Sequence, residues 1–212
     1  MIAILIGYYN KSVWLTYLGL ASSVLGMTLA LNGRLYLALA LLLFSGLCDM
    51  YDGTLAALVE RSDAEKKFGI QIDSLCDVVC FSAFPAIIAF SVAGSTPLCL
   101  LTMVMIVAGG AIRLGYFNVQ EELRQAETDE KRTHYQGLPV TASAIILPIG
   151  VIVFRLLAVE LSLGLPLLNG AIAVANVLNI RISKPQQLGK LLLLALGLIS
   201  FFTLLYMRRK GV

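Results

Sequence analysis

The stretch C-D-M-Y-D-G-T-L-A-A-L-V-E-R, residues 48–61, decides how this chain is read. It begins at the inner end of a long apolar segment, R-L-Y-L-A-L-A-L-L-L-F-S-G-L, residues 34–47. An aspartate at mid-membrane costs ~2.5–3.5 kcal/mol on insertion scales. This chain nevertheless carries two toward the inner end of that segment, Asp49 and Asp52, and repeats the pattern in G-I-Q-I-D-S-L-C-D, residues 69–77.

The surrounding composition makes the membrane setting unavoidable. Of 212 residues, 58% are hydrophobic and only 14% are charged. That is too apolar for an ordinary soluble domain, and membrane spans of ~20 residues account for it. No charge occurs between Lys11 and Arg34, or between Asp77 and Arg113. The second gap is long enough for a helical hairpin turning near Gly94–Pro97. Only helices suit runs of this length, so the chain is expected to be all-α. Spans are expected at 12–32, 34–60, 68–93, 96–118, 138–158, 161–181 and 188–207. Residues 1–11 read as an interfacial lead-in rather than a cleaved signal, because Lys11 follows the apolar run Met1–Ile6. Residues 12–181 read as the transmembrane catalytic core. Residues 182–212 read as a basic loop plus a C-terminal hydrophobic segment.

Lysines and arginines set the expected orientation. Arg61, Lys66 and Lys67 fall in one loop, Arg124, Lys131 and Arg132 in the next on that side, and Arg181, Lys184 and Lys190 in a third. The opposite loops carry only Arg34, so the first three are placed in the cytoplasm together with Lys11. The tail Arg208-Arg209-Lys210 runs against this pattern if 188–207 spans. Residues 119–134 read as a solvated cytoplasmic loop or surface helix. The net charge of +3 is spread over loops and leaves no nucleic-acid footprint. Cys48, Cys76, Cys80 and Cys99 contain no CxxC pair and read as reduced packing residues.

Asp49 and Asp52 are three apart and share a helix face, which Gly53 and Ala56 extend with almost no side chain. Asp73 and Asp77 are four apart on the next helix, with Gly69 one turn before them. Two antiparallel helices joined by a short loop bring these faces to similar depth. Four carboxylates repel one another, and divalent cations relieve both that repulsion and the cost of burial. All-carboxylate ligands suit Mg²⁺ or Mn²⁺ rather than Zn²⁺. Two such ions can clamp a pyrophosphate and an attacking oxygen. The alternative, helix-end acids pairing with Arg61 and the loop lysines, accounts for one or two of these acids but not for four on facing stripes.

Asp49, then Asp52-Gly53-x-x-Ala56, then Gly69-x-x-x-Asp73-x-x-x-Asp77 resembles the signature of the CDP-alcohol phosphotransferases. Residues 73–86, 112–119 and 135–144 look like the phosphatidylserine synthase branch. The resemblance covers roughly residues 45–148; beyond them it is mostly hydropathy. It implies an all-α integral membrane protein with a six-helix core, plus one extra C-terminal segment here, and a homodimer. It implies transfer of a phosphatidyl group from CDP-diacylglycerol to L-serine, giving phosphatidylserine and CMP. The active site would face the cytoplasm. Asp49, Asp52, Asp73 and Asp77 look like ligands of two ions, with Asp77 also the base, and Gly53, Ala56 and Gly69 would line the cytidine site. Two departures stand out: Ala57 occupies the family's arginine position, and the gap to Gly69 is three residues longer than usual. Arg61, taken as one helical turn beyond Ala57, is expected to reach the phosphates instead.

Arg113 has two readings, an interface arginine reaching for headgroups or a cationic contact for the lipid phosphate or the serine carboxylate. His134, the only histidine, reads as a solvated loop residue, and Gly137-Leu-Pro139 as the start of the fifth span. Rival functions are another acceptor such as glycerol phosphate, inositol or inositol phosphate, an intramembrane prenyltransferase, a divalent-cation transporter, and a non-catalytic paralogue.

Overall fold

The computed structural model describes residues 6–127, 134–183 and 187–210. A short 3₁₀ turn leads into α1 (Trp14–Leu31), followed by α2 (Leu35–Ala57), α3 (Asp63–Val78) and α4 (Phe84–Ala93). A π-helical turn over Val79–Ala83 joins α3 to α4 without a break. Then come α5 (Pro97–Glu127), α6 (Ser143–Leu156), α7 (Leu161–Val177) and α8 (Gln187–Lys210). Among the described residues, five continuous helical stretches are long and apolar enough to cross a bilayer: Lys11–Leu31, Leu35–Ala57, Asp63–Ala93, Pro97–Arg124 and Gln187–Lys210. Val140–Leu156 and Leu161–Val177 are shorter apolar helices, near the lower limit of about 17 residues for a span. The chain is an all-α, multi-pass integral membrane protein.

All seven expected segments are helical, and several boundaries move for local reasons. The second span stops at Ala57, not 60. The third starts at Asp63 rather than 68, because Ser62 and Glu65 form a capping box: the Ser62 hydroxyl accepts from the Glu65 N–H and Glu65 reaches back to the Ser62 N–H. The fourth runs on to Glu127, so residues 119–127, expected as a solvated loop or surface helix, continue α5. The sixth ends at Val177 rather than 181. There the chain turns into a two-stranded antiparallel ribbon, β1 (His134–Gln136) with β2 (Arg181–Ser183), in register His134 with Ser183 and Gln136 with Arg181. Gly137, at φ +72°, succeeds the ribbon and donates its N–H to Ile180 O at 2.8 Å. The expected fifth-span start is therefore a ribbon exit, and α6 begins only after a 3₁₀ turn over Val140–Ala142. Lys131, Arg132 and Lys184, three of the basic residues used for orientation, lie outside the described residues, as do residues 1–5 of the lead-in.

Small residues let the helices approach. On α1, Gly19, Ser22, Ser23, Gly26 and Ala30 are buried, and the Ser22 hydroxyl donates to Leu41 O at 3.0 Å. Ser23 donates to Ser45 Oγ at 3.0 Å in the same α1–α2 interface. The fully buried centre holds Leu39, Leu42, Phe81, Phe84, Ile88, Ile106, Leu147 and Leu165. Large apolar side chains also face outward, among them Leu25, Val104, Ile199 and Phe202, as a lipid-facing surface requires. α8 lies at the margin against α2 and α6, with only Ser200, Leu204 and Met207 buried.

Candidate functional site

The acid faces meet. Ligand oxygens of Asp49, Asp52 and Asp73 lie within 4.8 Å of one another. Asp77 lines the same pocket but lies outside that group of three. Asp77 is the deepest of the four, only 9% exposed. The pocket they line also takes Thr16 and Gly19 from α1, Ser45 and Cys48 from α2, and Cys76 and Cys80 from the third span. Among the described residues no lysine, arginine or histidine lines it, so Arg61, Lys66 and Lys67 do not neutralise these acids from within the pocket.

The donor set fits a hard divalent cation. Its donors are carboxylate oxygens, and three of them lie close enough together to share one ion. Thr16 is a member of the site that the sequence does not announce: its hydroxyl donates to Asp52 Oδ2 at 3.3 Å, fixing that carboxylate from a third helix. The apolar run around Thr16 carries no pattern that marks it.

The other expected residues fall around this pocket rather than in it. At Gly53 a Cβ would meet nothing within 4 Å, so the α2 backbone is bare there. Ala56 is half-buried one turn further on. Arg61 is not on α2 as expected, because that helix has already ended; it sits in the Leu58–Ser62 connection. From there it folds back onto α3, where its Nη1 lies 3.7 Å from the position a Cβ on Gly69 would take. Its Nε is buried with no hydrogen-bond partner. Arg61 and Gly69 thus form one feature at the loop end of the α2–α3 hairpin. The N-terminal segment closes over the same end: Asn10 Nδ2 donates to Glu65 Oε1 at 2.9 Å, and the rings of Tyr8 and Phe68 meet edge-on at 5.4 Å.

Arg113 is buried on α5, with its guanidinium 5.0 Å from the centre of the Phe117 ring. It does not line the acid pocket. One turn on, the Ser74 hydroxyl donates to Asn118 Oδ1 at 3.0 Å and Asn118 Nδ2 donates to Gln71 Oε1 at 3.3 Å, joining α5 to the acid-bearing helix.

The chain is 35% identical over 105 residues to a CDP-diacylglycerol–serine O-phosphatidyltransferase of Saccharomyces cerevisiae, covering 48% of this chain and 37% of that protein. It is 33% identical over 132 residues to the archaetidylserine synthase of Methanothermobacter thermautotrophicus, covering 62% of this chain and 53% of that protein. It is 29% identical over 173 residues to a CDP-diacylglycerol–serine O-phosphatidyltransferase of Helicobacter pylori, covering 78% and 68%. The chain therefore spans about half or less of the length of the first two of these relatives. The model of the family described as CDP-alcohol phosphatidyltransferase matches residues 9–180, from the lead-in through the end of α7. This chain belongs to the CDP-alcohol phosphatidyltransferase family.

Proposed function

We propose that this protein makes phosphatidylserine from CDP-diacylglycerol and L-serine, releasing CMP. The observation that carries the reading is one pocket lined by four carboxylates from two helices, three of them close enough to share an ion, with no cationic side chain among the described residues that line it. The names of the relatives support serine as the acceptor. Asp49, Asp52, Asp73 and Asp77 would hold Mg²⁺ or Mn²⁺, two ions in all, whose charge neutralises the donor's pyrophosphate and eases the departure of CMP.

The chain's own residues supply the rest. The bare backbone at Gly53, with Ala56 and Gly69, receives the cytidine, and Arg61 reaches its phosphates from the loop. The serine oxygen forms a bond to the β-phosphorus while the bond from that phosphorus to the CMP oxygen breaks. Asp77 takes the hydroxyl proton. Arg113 supplies positive charge near the lipid phosphate or the serine carboxylate. We place the chemistry in residues 12–181 and treat 182–212 as a peripheral addition, which the sparse burial of α8 supports. The pocket opens to the cytoplasm, as the basic loops suggest, and two copies associate, as the family resemblance implies.

The test is CMP release by purified protein in lipid, with and without serine, Mn²⁺ and Mg²⁺. Serine-dependent release that chelation abolishes is expected. Release that prefers glycerol phosphate or inositol phosphate would overturn the acceptor, and no release with either metal would overturn the reaction.

A further inference from the structure

The span that carries Asp73 and Asp77 changes its winding immediately after them. Over Val79–Ala83 it is π-helical, and the Phe84 N–H bonds to Val79 O, five residues back. The cause is local. Pro85 has no N–H to return to Phe81 O, and its ring crowds that carbonyl in a regular helix. The freed carbonyl is buried and finds its donor elsewhere: the Ser143 hydroxyl, at the start of α6, donates to Phe81 O at 2.8 Å. Ser143 itself is fully buried. The wider turn is accommodated by α5, where a Cβ on Gly110 would lie 2.0 Å from Ser82 Oγ.

A π turn adds one residue to the helix and so rotates the segment before it by roughly 100° relative to the segment after it. α4 is fixed by its core contacts through Phe84, Ile88 and Ala89. The direction in which Asp73 and Asp77 point is therefore a property of the turn. We propose that Pro85, the π turn and Ser143 form a latch that aims the acid face of α3 at Asp49 and Asp52, making Pro85 and Ser143 positioning residues of the cation pocket. This rests on the reading of that pocket as the reaction centre. It adds a control residue from α6, a helix with no side chain in the pocket.

The experiment reads the aim of the helix directly. In a background with Cys48, Cys76, Cys80 and Cys99 changed to alanine, Asp49→Cys and Asp77→Cys are paired and oxidised with copper phenanthroline in nanodiscs. Ser23→Cys with Ser45→Cys, across α1–α2, serves as the control pair. Pro85→Ala and Ser143→Ala are each introduced into both. The expected result is a disulfide rate for the 49–77 pair that falls about tenfold in either variant while the 23–45 pair keeps its rate. A second measurement is Mn²⁺ titration by electron paramagnetic resonance on protein with its aspartates and cysteines intact. Affinity is expected to fall by about tenfold in both variants, the size typical of losing a group that orients a metal ligand. Pro85→Ala restores a helical donor, so thermal stability is expected to hold or rise while Mn²⁺ binding weakens. An unchanged 49–77 rate in both variants overturns the latch, and so does an equal fall in both cysteine pairs. If the unsubstituted protein binds no Mn²⁺, the metal reading fails, and the cross-linking rates still decide the latch.

Discussion

Gly26→Ala tests whether α1 and α4 fit as tightly as the latch requires. A Cβ at Gly26 would lie 2.2 Å from Phe84 Cζ and 2.7 Å from Phe84 Cε1. Carbon atoms settle at ~3.5–4.0 Å, so the ring must move by more than about 1 Å. Phe84 is fully buried and is the first residue after the π turn, so the ring cannot retreat without moving the backbone beside Pro85. Overpacking of this kind costs ~1–3 kcal/mol. Replacing a helical glycine by alanine returns up to ~1 kcal/mol. The net expectation is a loss of ~1–2 kcal/mol. Shortening the ring as Phe84→Leu costs stability alone but makes room for the new methyl. A double-mutant cycle on detergent-solubilised protein, read by thermal or denaturant unfolding, should therefore give a favourable coupling of at least ~1 kcal/mol. A coupling near zero, or Gly26→Ala as stable as the parent, would refute the account of the α1–α4 contact.

Three more outcomes rest on individual residues. Arg61→Ala is expected to raise KM for CDP-diacylglycerol severalfold with kcat less affected, as the proposed donor-binding role requires; unchanged kinetics would remove Arg61 from the site. Gly137→Ala should destabilise by on the order of 2 kcal/mol, because the backbone there has φ +72° and a Cβ would lie 2.6 Å from Asn176 O; wild-type unfolding would show that the ribbon exit is not held as described. Ala158, exposed between α6 and α7, has φ +55°, so Ala158→Gly should stabilise by ~0.5–1 kcal/mol, and a loss in the same unfolding assay would contradict the strained turn.

The spans and the meeting of the acids were legible because both depend on short-range periodicity. Runs without charge mark helices in a bilayer, and residues three or four apart must share a face wherever the helix ends. Asp49 with Asp52 and Asp73 with Asp77 needed nothing more. The start of α3 was also within reach, since S-D-A-E at 62–65 is a capping-box pattern that moves the boundary to Asp63. Pro85 in a buried helix was a warning of altered winding, but which neighbour would answer the freed carbonyl depends on α6, some sixty positions away. Arg61 was misplaced because the helix was extended past Ala57, where nothing in A-A-L-V-E-R signals a stop. Thr16 and the pairing of residues 134–136 with 181–183 are long-range contacts, and neither leaves a local pattern.

Every side chain lining the acid pocket lies at or before Phe81 in the chain, whereas Ser143 comes much later. A ribosome adding ~5–20 residues per second therefore delivers the complete set of carboxylates to the translocon several seconds before it delivers the hydroxyl that fastens their helix. During that interval the nascent hairpin has its charges but no anchor for its rotation. If the pocket takes the divalent ions proposed for it, ions present at the moment of insertion would act as a folding template, and metal starvation should then lower the yield of correctly assembled protein as well as the turnover of protein already made.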